Sequence, residues 1–410
     1  LYATHSFHSF PAKFPPQLPA FFIENMTEPG DTVLDPMAGS GTTLVEAITR
    51  NRYAIGIDLD PLAVELCRVK TTPIKDAYSL NTVIDQIAAR AMKLSKSDQI
   101  EKNLAKFFDP KTREFINYWY LPQTQKEIFA LIQAINQYQS FGPADQEKAV
   151  KRFLLISLSS IIITKSAGVS LARDLAHSRP HRDLNKKIPN AVFKFREKAR
   201  KNIPGLLDHY LDSRLVKIYQ ADCRDLTKII PDSSIDLIIT SPPYANAIDY
   251  MRAHKFFLAW LGYSISELGQ LRSTYLGAEK IGTPCDYQFP KTTSKIISRL
   301  EQADKNKAQV LRKYYYEMGL VLREMARVLK PGSSAIMVVG SSVMRGIDIH
   351  VPQCLTEIAT QPKIGLKLIG IKIRTLDRNK RMLPMRLENK NSSQIEQRMN
   401  EEFIIFFYRE

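Results

Sequence analysis

The 410-residue sequence has few cysteines and no long apolar run, and both shortages exclude classes of protein. Its four cysteines lie far apart, with no Cys-x-x-Cys pair and no cluster with histidine, so no structural zinc site is expected. Scattered cysteines are typical of reduced thiols in a cytoplasmic protein. No run reaches the roughly 18 apolar residues of a membrane-spanning helix, and no signal peptide is recognisable.

Acidic residues are also in short supply. The chain carries 58 lysines and arginines against 42 aspartates and glutamates, which gives a formal net charge of +16. Basic side chains that neutralise phosphates release counterions, so this surplus favours a polyanionic partner such as nucleic acid. A solvated basic surface without such a partner is the alternative.

The beginning of the chain has the pattern strand, glycine turn, helix, strand, helix. Apolar strands are predicted at 31–35 and 53–57, and helices at 42–50 and 61–70. A βαβ beginning of this kind predicts a parallel sheet with helices on its faces.

Strand signals are scarce between residues 72 and 214 and return afterwards. Within that region apolar residues recur at helical spacing, at 82–94, 125–138 and 147–163. After it, strands are predicted at 215–219, 235–240, 334–340, 366–374 and 402–408, helices near 250–261 and 304–329, and a turn at 330–332. The sequence therefore predicts a split α/β domain, 1–71 and 215–410, interrupted by a helical domain, 72–214.

A glycine turn follows the first predicted strand and opens a helix. It reads Asp35-Pro36-Met37-Ala38-Gly39-Ser40-Gly41-Thr42-Thr43. Glycines at such a turn let the backbone approach a ligand closely. Asp58, directly after the second strand, is placed where a carboxylate binds ribose hydroxyls, whereas Asp60 precedes Pro61 and is a candidate helix cap. The spacing matches neither the GxGxxG of dinucleotide sites nor the GxxxxGK(S/T) of P-loops.

This turn and the segment after strand 235–240 resemble the motifs of the DNA amino-methyltransferases, which use S-adenosyl-L-methionine. The turn is similar to the family's cofactor motif DPFxGSGTT, with Met37 in place of phenylalanine. Thr240-Ser241-Pro242-Pro243-Tyr244 is similar to the catalytic motif (D/N/S)PP(Y/F/W). The resemblance covers about 1–70 and 215–340. It implies a Rossmann-like class I methyltransferase fold, α/β with a mostly parallel sheet, interrupted by the helical insert.

The resemblance implies a set of residues that bind S-adenosyl-L-methionine. The segment 10–15 would close over the methionine end of the cofactor, and Asp222 would lie near its adenine with Cys223 offering a backbone N–H. No metal is implied. The expected cofactor residues are Lys13, Phe14, Asp35, Pro36, Ala38, Gly39, Ser40, Gly41, Thr42, Asp58, Asp222 and Cys223.

The catalytic residues implied are Ser241, Pro242, Pro243 and Tyr244. An exocyclic amino nitrogen is conjugated with its ring and is a poor nucleophile. The Ser241 hydroxyl and the Pro242 carbonyl would accept its hydrogens and expose its lone pair, while the two prolines fix the direction of that carbonyl. Tyr244 would stack on the extruded base. Transfer is a direct in-line displacement, so Cys223 is not needed as a nucleophile.

The serine form of the motif is typical of enzymes that methylate N4 of cytosine in double-stranded DNA. The alternatives are a DNA N6-adenine methyltransferase, a tRNA guanine-N2 methyltransferase and a silent nucleic-acid-binding module. Cofactor segments precede the catalytic segment, an order called the alpha arrangement that places target recognition in the insert. Many N4-cytosine enzymes have another order. A bacterial modification system is the expected setting, and the sequence leaves open whether a cognate restriction endonuclease accompanies it.

The stretch 165–201 is the expected DNA contact, with eleven lysines and arginines against three acidic residues. Arg179, Arg182, Lys186 and Lys187 are predicted to contact phosphates, and some arginines to read base edges. The basic run 374–386 is a weaker candidate. His5 and His8 are expected at the surface.

Overall fold

A computed structural model describes residues 2–10, 13–140, 142–164, 168–173, 180–207, 211–245, 249–278, 287–375 and 401–410. The strands are β1 Thr32–Asp35, β2 Tyr53–Asp58, β3 Ala172–Arg173, β4 His181–Arg182, β5 Val216–Gln220, β6 Ile235–Thr240, β7 Leu329–Gly340, β8 Val343–Met344, β9 Ile347–Asp348, β10 Leu366–Thr375 and β11 Glu401–Arg409.

The structure also describes the α-helices of the chain. They are α1 Gln17–Met26, α2 Thr42–Ile48, α3 Pro61–Thr71, α4 Leu80–Leu94, α5 Asp98–Phe107, α6 Pro110–Trp119, α7 Pro122–Asn136, α8 Ala144–Ile162, α9 Ala191–Asn202, α10 Pro204–Leu207, α11 Met251–Leu258, α12 Ile265–Thr274, α13 Lys291–Ala303, α14 Lys305–Val328 and α15 Val351–Ala359. Short 3₁₀ helices lie at Ala3–Ser6, Ser213–Leu215 and Ala259–Leu261. A search of the described residues for a helix that could cross a membrane finds none.

One sheet of seven strands has the order β10-β11-β7-β6-β1-β2-β5. Neighbours from β7 to β5 pair in parallel, and β11 runs antiparallel between β7 and β10. The chain moves outwards from β1 through β2 to β5 and then returns to β6 on the other side of β1. This reversal is a topological switch point, where sheets of this class bind ligands beyond the carboxyl ends of the strands. The predicted mostly parallel α/β fold is confirmed.

The predicted turn at 330–332 lies inside β7 rather than before it. Ile235 pairs with Leu329, but Leu237 pairs with Ser334, so the residues between Leu329 and Ser334 bulge out of the ladder. Gly332 adopts φ +85° there, a conformation that glycine tolerates without steric cost. The Pro-Gly pair was correctly expected to bend the chain, but the strand continues through the bend.

The chain divides into two compact units. The first comprises Leu1–Lys13, Asp60–Arg214 and Asp249–Arg272, and the second comprises Phe14–Leu59, Leu215–Ile248 and Ser273–Glu410. The second unit contains the whole seven-stranded sheet. In the first unit, α4, α7, α8 and α9 pack on one another. The predicted boundary at 214/215 coincides with a unit boundary, whereas α3 and α11 contact α8 and belong to the helical unit.

The N-terminal segment is buried in the first unit, which corrects the expectation that His5 and His8 lie at the surface. His5 is 0% exposed and His8 is 8% exposed. The 3₁₀ helix Ala3–Ser6 packs against α3 and α10. A Cβ added at Gly205 would lie 2.4 Å from the Ala3 carbonyl oxygen, so only glycine permits this approach. His8 Nε2 lies 3.0 Å from Ser159 Oγ.

Candidate active site

The glycine turn lies at the carboxyl end of β1, beside the switch point. Gly39 and Gly41 adopt φ +47° and +72°, which is the left-handed region that side chains disfavour. The Ala38 N–H donates to the Ile57 carbonyl at 2.9 Å and so fixes the turn on β2. Gly41 is the N-cap of α2, so the open backbone donors of that helix begin at this turn. Such a turn can cradle a polar ligand.

Five further residues of the turn are among those predicted to bind the cofactor, and the structure shows their burial. Asp35, Pro36, Ala38, Ser40 and Thr42 are all buried. Ser40 Oγ and Thr42 Oγ1 lie 3.2 Å apart. The turn is therefore held by its own polar groups as well as by β2.

Asp58 ends β2 and holds the glycine turn from the side. Its Oδ2 accepts the Gly39 N–H at 2.8 Å, and its carbonyl accepts the Ala221 N–H at 3.1 Å. A carboxylate accepts about four hydrogen bonds, and the two vicinal hydroxyls of a ribose are donors of the matching kind. This donor and acceptor chemistry fits the ribose of a nucleoside cofactor.

Asp60 caps α3, as the sequence indicated. Its Oδ1 accepts the N–H groups of Leu62 and Ala63 at 2.8 and 3.2 Å. Its Oδ2 lies 2.8 Å from His254 Nδ1. Asp60 is therefore engaged within the first unit, and Asp58 is the carboxylate at the sheet edge.

Asp35 links β1 to β6 across the switch point. Its Oδ1 accepts the Thr240 hydroxyl at 2.8 Å and the Met37 N–H at 3.2 Å. Burial raises its pKa from 3.8 to about 6, against the opposing effect of the hydrogen bonds from Thr240, Thr43 and Met37. The glycine turn and the segment that begins at Thr240 thus share one buried carboxyl group.

Replacing Asp35 by asparagine is expected to change how stability depends on pH. Because the folded pKa lies above the unfolded one, the folded protein keeps a proton that the unfolded chain releases between about pH 4 and pH 6. Wild-type stability therefore falls as pH rises through this window, by up to about 3 kcal/mol. Asparagine keeps the acceptor oxygen without the charge. Denaturant unfolding of the cofactor-free protein should show Asp35→Asn more stable at pH 7 and equal to wild type below pH 4. The same pH slope in both proteins would contradict the assignment.

The segment 241–244 begins where β6 ends. Ser241 Oγ donates to the Val338 carbonyl at 3.1 Å, and Pro242 is buried. Because the Ser241 hydroxyl hydrogen is donated to β7, the lone pairs of Oγ can accept hydrogens from a substrate. The Tyr244 hydroxyl donates to Glu402 Oε1 at 3.3 Å. Ser241 and Tyr244 are therefore anchored on β7 and β11, the next two strands on one side of β6, while Pro243 is half-buried between them.

Asp222 and Cys223 follow β5, as predicted. Burial opposes ionisation of Asp222, but hydrogen bonds from Arg224 outweigh it and lower the Asp222 pKa. Arg224 Nε lies 2.8 and 3.0 Å from the two carboxylate oxygens and Nη1 lies 2.5 Å from Glu317. Burial, followed by Asp222 and Asp58, raises the pKa of the Cys223 thiol. Cys223 stays a neutral thiol, which agrees with a mechanism without a cysteine nucleophile.

Lys13 belongs to the first unit and Phe14 to the second. The Lys13 ammonium donates to the His5 carbonyl, and burial together with Lys198 lowers its pKa to about 8. Phe14 is half-buried. Pro11 and Ala12 lie outside the described residues. The contact of this segment with the cofactor stays a prediction.

The predicted DNA contacts divide into three cases. Arg182 is exposed, with its guanidinium 4.2 Å from the centre of the Tyr118 ring, and Lys187 is exposed as well. Lys186 is only 6% exposed and its ammonium donates to the Ser170 and Ala172 carbonyls at 2.6 and 3.0 Å. The prediction for Lys186 is therefore corrected, because it holds the turn after β4 instead of facing solvent. Arg179 lies outside the described residues.

Metal-ligand clusters were sought among the described residues. Groups of three or more His, Cys, Asp or Glu side chains that could hold a metal ion are absent from these residues.

Known proteins resemble this chain in sequence along most of its length. A family model described as DNA methylase matches residues 2–68. The type II methyltransferase M.MvaI of Kocuria varians is 24% identical over 380 residues, 87% of this chain and 80% of the relative. The type II methyltransferase M.AvaI of a Nostoc species is 26% identical over 362 residues, 81% of this chain and 72% of the relative. The chain is therefore similar to DNA amino-methyltransferases, with the family model confined to its first 68 residues.

The similarity to DNA methyltransferases supports S-adenosyl-L-methionine as the cofactor of this chain. Its own glycine turn fits that group, because positive-φ glycines open the backbone and Asp58 supplies acceptors for a ribose. A solved structure, TrmN from Thermus thermophilus, aligns with 97% of this chain and 49% of its own at 11% identity and a TM-score of 0.32. The strand order of this chain, and not its likeness to TrmN, defines the fold.

The sequence did not point to the residues that hold the catalytic segment from outside. The Thr240 hydroxyl donates a hydrogen bond to Asp35, the Val338 carbonyl accepts one from Ser241, and Glu402 accepts one from Tyr244. Thr240 ends the strand before the motif and could have been found there. Val338 acts through its backbone and Glu402 lies 158 residues beyond Tyr244, so neither has a local signal.

Proposed function

We propose that this methyltransferase transfers a methyl group to the N4 amino nitrogen of cytosine in double-stranded DNA. The observation that carries the proposal is Ser241, whose hydroxyl donates to the Val338 carbonyl and so presents lone pairs beside the switch point. A neutral hydroxyl in this position accepts an amino hydrogen without placing a full negative charge beside the base. The serine form of the motif is the form typical of cytosine-specific enzymes.

The residues of the segment divide the work of holding the base. The target nucleotide leaves the duplex and stacks on the Tyr244 ring. Ser241 Oγ and the Pro242 carbonyl accept the two amino hydrogens, which turns the nitrogen lone pair out of conjugation with the ring. Asp58 and the glycine turn would hold the cofactor, which when bound would supply the methyl group: the N–CH3 bond would form as the S–CH3 bond breaks, S-adenosylhomocysteine would leave, and the nitrogen would release one proton to solvent. No residue forms a covalent bond to the base.

The relatives named type II methyltransferases suggest a restriction–modification setting. DNA modification of that kind protects a recognition sequence from a nuclease, so a cognate restriction endonuclease belongs to the proposal. We place recognition of that sequence in the helical insert, 72–214, which carries the basic surface around Arg182 and Lys187.

Labelled S-adenosyl-L-methionine tests the acceptor. The protein is incubated with unmethylated DNA or with tRNA, the polymer is digested to nucleosides, and the labelled nucleoside is identified by mass. Label in deoxycytidine from DNA is the expected result. Label in deoxyadenosine would replace cytosine by adenine, label in tRNA guanosine would replace DNA by RNA, and no transfer would leave a silent binding module.

The basic turn after β4 is expected to contribute phosphate contacts. Arg182→Ala combined with Lys187→Ala removes two cations that the structure leaves exposed. Each lost phosphate contact lowers the slope of log K against log salt by about 0.9, so the slope should fall by about 2. Affinity for unmethylated duplex DNA near 0.1 M salt should drop about tenfold or more, measured by fluorescence anisotropy.

Lys102→Ala combined with Lys106→Ala is the matched control, because it removes two exposed cations from α5. Equal slopes for both double variants would mean that the effect is one of net charge alone. An unchanged slope for the Arg182 and Lys187 variant would remove these residues from the interface.

A further inference from the structure

The hydroxyl of Tyr244 has a fixed partner on a distant strand. It donates to Glu402 Oε1 at 3.3 Å, at the start of β11. The other carboxylate oxygen, Oε2, is paired with the Arg374 guanidinium. Arg374 and Glu402 are direct cross-strand partners in β10 and β11. The side chain of Glu402 is 14% exposed, so the carboxylate is held with little solvent around it.

The same strand pair supports the other end of the segment. Ser241 donates to the Val338 carbonyl, and Val338 pairs with Ile404, two residues after Glu402 on β11. The segment 241–244 is therefore fixed at its first residue by β7 and at its last by β11. A ring attached to a loop at one end only can rotate about χ1 and χ2, whereas a hydroxyl bond to a strand restricts both.

We infer that Glu402 is a positioning residue for methyl transfer, acting through the Tyr244 hydroxyl to fix the plane of the ring that receives the extruded base. Arg374 holds the carboxylate of Glu402 in place and balances its charge. The inference rests on the proposed role of the segment 241–244 as the base-holding segment. The motif itself accepts phenylalanine or tryptophan at this position, so the dependence on a hydroxyl is a property of this chain.

Substitutions can separate the hydrogen bond of the Tyr244 hydroxyl from the stacking contact of its ring. Tyr244→Phe keeps the stacking face and removes the hydroxyl, and Glu402→Ala removes the acceptor and keeps the hydroxyl. If the two groups act through one bond, removing either has the same effect as removing both. We expect each single variant, and the double variant, to lower the single-turnover rate on unmethylated DNA about tenfold.

Three comparisons separate positioning from damage. The Kd for S-adenosyl-L-methionine, measured by calorimetry, should stay within about twofold of wild type in all variants. Glu402→Gln keeps a polar group of the same size beside Tyr244 and should stay within about threefold in rate. Glu401→Ala is the matched control, because Glu401 is the neighbouring residue of β11 and points to the opposite face; its rate should equal that of wild type.

Unfolding measurements keep the inference separate from the proposed function. The same cycle of Tyr244→Phe and Glu402→Ala in denaturant should show that their effects on stability are not additive, whichever base is methylated. If the two substitutions have non-additive effects on stability but the wild type transfers no methyl group, the proposed function is overturned and the hydrogen bond between Tyr244 and Glu402 remains. A single-turnover rate about 100-fold lower in the double variant, or a Tyr244→Phe protein as fast as wild type, would overturn the positioning role of Glu402.

Discussion

Ser241→Ala is expected to lower the rate of methyl transfer to DNA about 100-fold while S-adenosyl-L-methionine binds almost as in the wild type. Removing one preorganised polar group at a reacting centre typically costs about 10²–10³ in turnover. The effect belongs to turnover because, in the proposed function, Ser241 accepts a hydrogen of the amino group and does not bind the cofactor. Its hydroxyl donates to Val338 and is anchored before the base arrives, so no reorganisation precedes the reaction.

Single-turnover transfer from labelled cofactor and calorimetric cofactor binding check this prediction. Ser234→Ala is the matched control, because the Ser234 hydroxyl also donates to a backbone carbonyl, that of Pro231 at 2.7 Å, but in a turn before β6. Loss of both transfer and cofactor affinity in Ser241→Ala would mean that Ser241 supports the cofactor turn and not the base.

Asp58→Ala is expected to weaken the binding of S-adenosyl-L-methionine about 30- to 100-fold. Hydrogen bonds to a charged acceptor contribute about 1.5–3 kcal/mol each, and the ribose offers two hydroxyls. The variant also leaves the Gly39 N–H without the oxygen that now lies 2.8 Å away. Both losses act on the cofactor side of the switch point, so binding suffers before chemistry does.

The control for Asp58 is another aspartate that accepts a backbone N–H. Asp31 precedes β1 at the amino end of the sheet, and its Oδ2 accepts the Glu28 N–H at 2.8 Å. Asp31→Ala should leave the Kd for the cofactor unchanged. An Asp58→Ala protein that binds the cofactor as tightly as wild type would move the ribose site away from β2.

The strands of the sheet could be predicted from the sequence because each is a short apolar run that ends at a turn or a polar residue. β6, predicted at 235–240, has those bounds in the structure. Helices were harder to predict where proline precedes their first turn. α1 follows a proline-rich lead-in and α13 begins after Pro290, and neither was predicted. Proline at a helix start is compatible with the first turn, but it resembles a loop signal when read alone.

The candidate site could be predicted only as far as its local motifs reach. Asp35 and Ser241 were expected at one edge of the sheet, and the strand order places β1 beside β6. The hydrogen bond from Thr240 to Asp35 and the contact of Tyr244 with Glu402 depend on packing between segments far apart in the chain. Lys186 shows the converse limit, since a basic run does not reveal which of its ammonium groups is buried.

The attachment atom of the transferred methyl group tests the central claim most directly. DNA methylated by the wild type with labelled S-adenosyl-L-methionine is digested, and the labelled nucleoside is separated against standards methylated at N4 of cytosine, C5 of cytosine and N6 of adenine. We predict that the label elutes with N4-methyldeoxycytidine and is absent with the Ser241→Ala protein. Label on C5 of cytosine would contradict amino-group methylation itself, and label on N6 of adenine would contradict the choice of cytosine.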